Sequence, residues 1–247
     1  IDGILFYLAY PFLVTAPDMV AIEYVPHTPT HYYVSTTGDD GNSGLDTANA
    51  WASIDNGNQL QILGPGDTIS ILSGTYLISD YLDFGHSGIP ALPIVYRKYA
   101  EEAVVVDAGG MLVSAVWLRG NHVIVDGLEI VGSGHHGILL DGDSCIISNC
   151  RIRDNARDGI NTNLGNSNLL YRNIIWRCGS DAIEMAATAT DNVIHQNTLY
   201  DCTVNGIRVT FGATGTRVFN NIVVGHFNGI SATAGTVCGF NDVWDNS

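Results

Sequence analysis

Three consecutive stretches decide the fold: SCIISNCRIRDNARDGINT (144–162), SNLLYRNIIWRCGSDAIEM (167–185) and DNVIHQNTLYDCTVNGIRV (191–209). Each holds two short β-rich runs, a polar break, and a closing triplet of His, Asp or Asn, then Gly or Ala, then Ile. The same pattern extends outward to HVIVDGLEIVGSGHHGILL (122–140) before them and GTRVFNNIVVGHFNGISA (215–232) after them, with an incomplete copy, GTVCGFNDVW, at 235–244. The triplet isoleucines fall at 138, 160, 183, 207 and 230, in steps of 22, 23, 24 and 23 residues. Such a period leaves no room for a helix in every repeat, which excludes α-solenoids, and it is too short for a four-stranded propeller blade. The Leu/Asn consensus of a leucine-rich repeat is absent. What remains is an all-β, right-handed parallel β-helix with three-stranded coils of 22–24 residues. Its stacked coils place equivalent residues about 4.8 Å apart, in columns.

Composition agrees and narrows the partners. Hydrophobic residues make up 46% and charged residues 14%, with 28 Gly, a profile of long buried strands joined by tight turns. Lys98 is the only lysine among ten cationic residues, which face 25 acidic ones for a net charge of -15. Binding nucleic acid by counterion release needs clustered cations, so no nucleic-acid partner is expected. The same charge repels acidic polymers unless a metal ion bridges them. Cys145, Cys150, Cys178, Cys202 and Cys238 are odd in number and form no CxxC pair, so they read as small core residues and not as a disulfide framework or zinc site.

Residues 1–31 form an apolar, then irregular, N-terminal segment, and 32–247 the β-helix domain. The apolar run from Ile4 to Val14, interrupted by Pro11, is too short to span a bilayer and has no Lys or Arg before it. The chain stops inside a repeat, so the domain is expected to be truncated at its C-terminal end. An open coil end can continue into a further C-terminal domain or associate end to end with another copy. Trp51, Ile54, Leu60 and Leu63 have mixed helical spacing, with Ser53 as an N-cap and Gly64-Pro65-Gly66 as a stop. They predict a short N-terminal capping helix over the open end of the stack, as repeat folds require. DTISILSGTY (67–76) reads as a strand ending in a turn.

Several columns can be read from the alignment. Asn173, Asn197, Asn221 and Asn241 coincide, with Cys150 one level earlier, and predict a structural ladder in which each side chain bonds its neighbours' amides. Cys178 and Cys202 also stack, and are expected as neighbouring thiols. A further column runs His136, Asp158, Asp181, Asn205, Asn228 at the turn before the triplet Ile. A column three residues on runs Leu139, Asn161, Glu184, Arg208, Ser231. Residues flanking an inward Ile point outward, so Asn161, Glu184 and Arg208 should line one outer face. Two carboxylates one coil apart repel unless a cation or protons intervene. With Glu184 and Asn161 they make a hard oxygen donor set of the kind that suits Ca²⁺. Three readings stand at this point: a Ca²⁺ site, a solvated acidic face, or carboxylates that act as acid and base themselves. Tyr171, Trp176, Tyr200 and Phe211 are aromatic residues that stack on sugar rings or face the core.

YYVSTTGDDGNSG (32–44), GPGDTISILSGTY (64–76) and the Asn-bearing coils together resemble the pectate-lyase-like superfamily of extracellular right-handed β-helices, with an opening similar to polysaccharide lyases of the family-nine type. The resemblance covers residues 32–244. It implies a secreted or cell-surface protein. In family-nine lyases Ca²⁺ is held by an Asp on one coil and an Asp-Asp-x-x-Asp arrangement on the next. The matching positions are Asp158, then Ser180-Asp181 and Glu184, so Asp158, Asp181 and Glu184 are the implied metal ligands, and Ser180 departs from the pattern. The family's base is a Lys, and Lys98, the only one here, precedes the repeats. Arg208, one coil beyond Glu184, is the substitute, as in β-helix lyases of other families, and His136 is a second proton carrier. Asn205 and Asn161, in the same two columns, are assigned to substrate binding.

The expected function is therefore Ca²⁺-dependent β-elimination on an acidic, uronate-containing polysaccharide. The metal neutralises the uronate carboxylate and acidifies its α proton, and a base removes that proton. Two alternatives stay open: a glycoside hydrolase or epimerase using the paired carboxylates, and a non-catalytic adhesin- or spike-like segment.

Overall fold

The computed structural model describes residues 27–101, 103–186 and 188–247. Residues 1–26, including the apolar run Ile4–Val14, lie outside the described residues. From His31 onward the chain winds as a parallel β-solenoid with almost no helix, its strands sorted into three sheets of nine, eight and seven strands in which every ladder is parallel. One coil shows the plan. Ile146–Ser148 lies in the nine-stranded first sheet, Arg151–Arg153 in the eight-stranded second, and Ile160–Thr162 in the seven-stranded third. The pairing register is the one the repeats predict: Ile138, Ile160, Ile183, Ile207 and Ile230 are successive partners.

The alternation within each short strand places the core. Ile147, Ile152 and Ile160, one from each sheet, are fully buried, as are Leu170, Ile175 and Ile183 in the next coil. The interior of these coils is thus a pile of aliphatic layers. The small second residue of the closing triplet has a packing cause. A Cβ at Gly159 would sit 2.3 Å from Ile175 Cγ2, and one at Gly206 would sit 2.1 Å from Val223 Cγ1. The backbone there rides directly over the core of the second sheet, which pins the residues on either side of the triplet.

The corner between the first and second sheets is a two-residue bend. Arg172, Gln196 and Asn220 occupy the left-handed region, with φ of 55°, 56° and 56°, and each turns the following Asn into the stack. There the expected ladder forms: the Asn173, Asn197 and Asn221 amides donate in turn to the Oδ1 of Asn197, Asn221 and Asn241, each at 3.0 Å. The Cys150 amide donates to Asn173 Oδ1, also at 3.0 Å. Cys178 and Cys202 stack as thiols, the Cys178 amide donating to Cys202 Sγ at 3.4 Å. Four of the cysteines are buried and unbridged, and burial pushes the thiols of Cys145 and Cys150 up to about 12. Cys238, expected in the core, is exposed on the last coil.

The N-terminal cap is smaller than expected. It consists of a 3-10 turn at Thr47–Asn49 and one α-helical turn at Asn56–Gln59. Ser53 is not its cap; its amide and hydroxyl bond the Asp40 carboxylate instead. The Asn56-Gly57-Asn58 sequence is a poor helix former, so one turn is all that forms. Trp51, Ile54 and Leu63 nevertheless plug the end of the stack, while Leu60 points to solvent at 51% exposure.

Candidate functional site

The turn that enters the third sheet carries His136, Asp158, Asp181 and Asn205 on successive coils, and the structure buries all four. This column is itself a ladder. Asp158 Oδ1 accepts the Asp181 amide at 3.0 Å, and Asp181 Oδ1 accepts the Asn205 amide at 3.0 Å. One oxygen of each carboxylate therefore holds the backbone, and the other faces the outer surface of the third sheet.

Three residues on, past the inward Ile, Asn161, Glu184 and Arg208 are register partners on adjacent strands. Their side chains return to the outer oxygens of the ladder. Asn161 Nδ2 donates to Asp158 Oδ2 at 2.8 Å and to Glu184 Oε2 at 2.9 Å. Arg208 places Nε 2.5 Å from Asp181 Oδ2 and Nη2 2.7 Å from Glu184 Oε1. His136 Nδ1 lies 3.0 Å from Asp158 Oδ2. Asn161 thus turns its amide nitrogen, not its oxygen, toward the carboxylates, because two facing acceptors need a donor between them.

Charge is unevenly held within this group. Burial raises the Asp158 carboxyl, but the contacts from His136, Asn161 and the Asp181 amide more than offset it and hold the group well below its ordinary value. Burial also raises Glu184, and there the Asp158 charge adds to the rise, so its carboxyl is held above its ordinary value. Arg208 loses some charge stability to burial and regains more from Asp181 and Glu184, so its guanidinium is held protonated.

These residues floor a groove of about 490 Å³ lined by His135, His136, Leu139, Arg157, Asp158, Asn161, Glu184 and Arg208, among others. Asp181 and Asn205 are absent from its surface. Asn205 gives its amide nitrogen to Asp181 and accepts at Oδ1 from Asn228, beneath the groove and against Asp181. His136 lines the groove and lies against Asp158. Arg157 escaped the sequence reading, and His135, next to His136, reads there as exposed. His135 is half-buried, accepts at Nε2 from Arg157 Nη1 at 2.9 Å and meets Ser114 Oγ at 3.3 Å through Nδ1. Burial, then the neighbouring His136 and Arg157, lower its pKa, so it is a neutral imidazole at neutral pH. Of the aromatic residues singled out, Tyr171 stacks on His195 in the first sheet and Trp176 on Tyr200 in the second, both away from this groove.

The donor set suits a hard cation. Among the described residues, ligand atoms of Asp158, Asp181 and Glu184 lie within 4.8 Å of one another. Oxygen ligands that each sit about 2.3–2.6 Å from one Ca²⁺ can be no further apart than roughly that. Arg208 holds two of these carboxylates, so a bound cation and its guanidinium compete for the same oxygens.

Solved structures share this architecture. Pectate lyase Pel9A superposes with a TM-score of 0.74 at 18% identity, over 81% of this chain and 55% of that one. An alginate lyase from Paenibacillus sp. str. FPU-7 gives 0.64 at 21%, over 74% of this chain and 71% of that one. A rhamnogalacturonan lyase gives 0.56 at 14%, over 85% and 62%. The chain thus spans 55% of the length of the pectate lyase, and identities this low speak for the fold alone. No curated protein matches the sequence. The family model described as "Right handed beta helix region" matches residues 110–242, more than half of the chain and all of the strands that build the groove, and the chain belongs to that family.

Proposed function

We propose that the chain is a secreted or cell-surface polysaccharide lyase that cleaves a uronate-containing polymer by β-elimination with Ca²⁺. One observation carries the reading: the carboxylates of Asp158 and Glu184, with that of Asp181 directly beneath, converge at a groove whose walls bring Arg208, Arg157 and a neutral His135. No helix among the described residues is long and apolar enough to cross a membrane.

Asp158, Asp181 and Glu184 are the residues that would hold the cation, and the bound ion would supply neutralisation of the uronate carboxylate, which acidifies the adjacent proton. The chain's own groups do the rest. Arg208, kept protonated by its carboxylate partners, acts as a charge clamp on the substrate and not as the base. His135 faces the groove with a lowered pKa, and its Nε2 can accept the α proton at neutral pH once Arg157 Nη1, which donates to it, turns to the substrate. His136 orients Asp158, and Asn205 orients Asp181. Asn161 remains at the groove surface, where its amide can meet a sugar hydroxyl or carboxylate.

The test is a panel of pectate, alginate, rhamnogalacturonan and glycosaminoglycans with and without Ca²⁺. Elimination leaves an unsaturated uronate with a strong ultraviolet absorbance. Its appearance with Ca²⁺ and loss with chelator supports the reading. Reducing ends without that absorbance would instead indicate hydrolysis, and no product from any uronate polymer rejects it.

A further inference from the structure

The outward column that carries Glu184 and Asn161 does not stop at Leu139. Leu139 pairs with Trp117 on the preceding strand, and Trp117 with Asp83 on the one before. Toward that end the surface changes from carboxylates to apolar groups. Tyr81, Leu112, Val113, Trp117 and Leu139 line a second pocket of about 330 Å³, and His135 and Leu139 belong to both pockets. The two are therefore one continuous furrow along the third sheet.

The indole is a fixed wall of this furrow. Trp117 Nε1 donates to Asp141 Oδ2 at 2.7 Å, and the Arg119 guanidinium carbon lies 5.4 Å from the ring centroid. Arg119 is itself anchored to Asp83, with Nε 2.7 Å from Oδ1. Tyr81 meets the indole edge-on at 5.5 Å and 66°. Beside this rigid pair the chain leaves Leu112 88% and Val113 41% exposed, which the folding of the coils does not require. Of the nearby acids, Asp83 is paired with Arg119, and Asp141 accepts the indole N–H at Oδ2 while its Oδ1 is buried without a hydrogen-bond partner.

A pyranose ring has an apolar C–H face and a polar rim, and this wall offers an apolar face with Ser114, His135 and Arg119 at its edge. Trp117 is three coils from Glu184 in the same column, through Leu139 and Asn161, about 14 Å at roughly 4.8 Å per coil. That span accommodates several linked sugars. We propose that Tyr81, Trp117 and Leu112 form a pyranose-stacking subsite that takes a polysaccharide chain lying along the third sheet, several sugar residues away from the carboxylate cluster. The inference rests on reading the groove as a polysaccharide site, but it concerns binding and not bond cleavage.

The experiment measures affinity by isothermal titration calorimetry on the chain as it stands, together with the Trp117→Ala, Trp117→Phe and Leu112→Ser variants. The probes are disaccharides and octasaccharides of galacturonate, mannuronate and xylose. Trp117→Ala should bind the preferred octasaccharide roughly ten-fold more weakly and leave the disaccharide unchanged, while Trp117→Phe keeps most of the affinity. Leu112→Ser, at an exposed position that cannot disturb the fold, should weaken the octasaccharide several-fold. Equal octasaccharide affinity in all four proteins overturns the subsite, as does a failure of the parent chain to bind any of these probes. Loss of self-association in Trp117→Ala by sedimentation, with sugar affinity unchanged, would make the wall a contact between copies and also overturn it. Variant-sensitive binding with no elimination product rejects the lyase reading alone; elimination with variant-insensitive binding rejects the subsite alone.

Discussion

Arg208 Nε rests 2.5 Å from Asp181 Oδ2, and Asp181 has no exposure to solvent. A surface arginine thus closes the charge of a buried carboxylate, and it does so from the position a divalent cation would take. Exchange of one for the other is the simplest coupling the site offers. Replacing Arg208 by Gln should therefore tighten Ca²⁺ binding in calorimetry, since the competitor is gone. The same variant should lose about 1–3 kcal/mol of stability without Ca²⁺, the cost of a buried acceptor left unpaired. Weaker Ca²⁺ binding in Arg208→Gln would show that the guanidinium and the cation do not share these oxygens.

Asp158 turns one oxygen to the Asp181 amide and the other to the groove, and Asn can replace only the first. In Asp158→Asn the amide oxygen still accepts from the Asp181 backbone, but Nδ2 then faces the Asn161 donor, so stability without metal should fall by about 1–3 kcal/mol. Its metal response should not survive. Saturating Ca²⁺ at about a hundred times Kd stabilises a binding protein by about 2.7 kcal/mol. The parent chain should show a corresponding rise in Tm, and Asp158→Asn should show none. An equal rise in both would return the acidic column to a purely structural ladder.

Much of this site was legible before any coordinates, because an in-register parallel stack converts a spacing of 22 to 24 residues into direct contact. That is why Asn161, Glu184 and Arg208 could be set side by side, and why the ladder from Asn173 to Asn241 could be drawn. The depth of the Asp158 column was less legible. A turn residue can face either way, and only the backbone amides of Asp181 and Asn205 reveal that the carboxylates turn inward. His135 and Arg157 stack on adjacent coils one position before His136 and Asp158, a column legible at the same step, and His135, read as exposed, is half-buried against Arg157. A second ladder, in which the Cys145 amide donates to Asn168 Oδ1 and the Asn168 amide to Asn192 Oδ1, was also missed. Its signal was present: Cys145 stands to Asn168 as Cys150 stands to Asn173.

If His135 is the base, the pH profile must carry its mark. A base works when unprotonated, so kcat/KM falls as pH drops through its pKa. Burial, with His136 and Arg157 nearby, moves that pKa below the ordinary 6.5. Activity should therefore persist below pH 6.5 and then fall on the acid side. His135→Gln should lose about 100-fold or more in kcat with the groove intact, a typical contribution for a general base. An acid limb unchanged in Arg157→Ala would count against the assignment, because removing that guanidinium should raise the His135 pKa and shift the limb upward.

The Asn ladder ends at a residue that does its work poorly, which allows a gain-of-stability test. Asn197 is buried; its Oδ1 accepts from the Asn173 amide at 3.0 Å, and its Nδ2 donates to the Leu170 carbonyl at 3.0 Å. Truncation to Ala strands both groups in a dry interior and should cost about 2–5 kcal/mol in urea denaturation. One level before Asn173, Cys150 occupies the equivalent corner with no solvent exposure. Its thiol makes long contacts, 3.7 Å to the Val125 carbonyl and 3.2 Å to that of Ser148. An amide there would reach the Val125 carbonyl as Asn173 Nδ2 reaches that of Ile147, at 2.9 Å. Cys150→Asn should thus extend the ladder by one coil and stabilise the chain by about 0.5–1.5 kcal/mol, the net worth of a buried hydrogen bond. The same substitution at Cys178, where the neighbour on the next coil is Cys202 and not Asn, should bring no such gain. A destabilised Cys150→Asn would mean that the corner at this level is too tight for an amide, and that the ladder ends at Asn173 for reasons of volume.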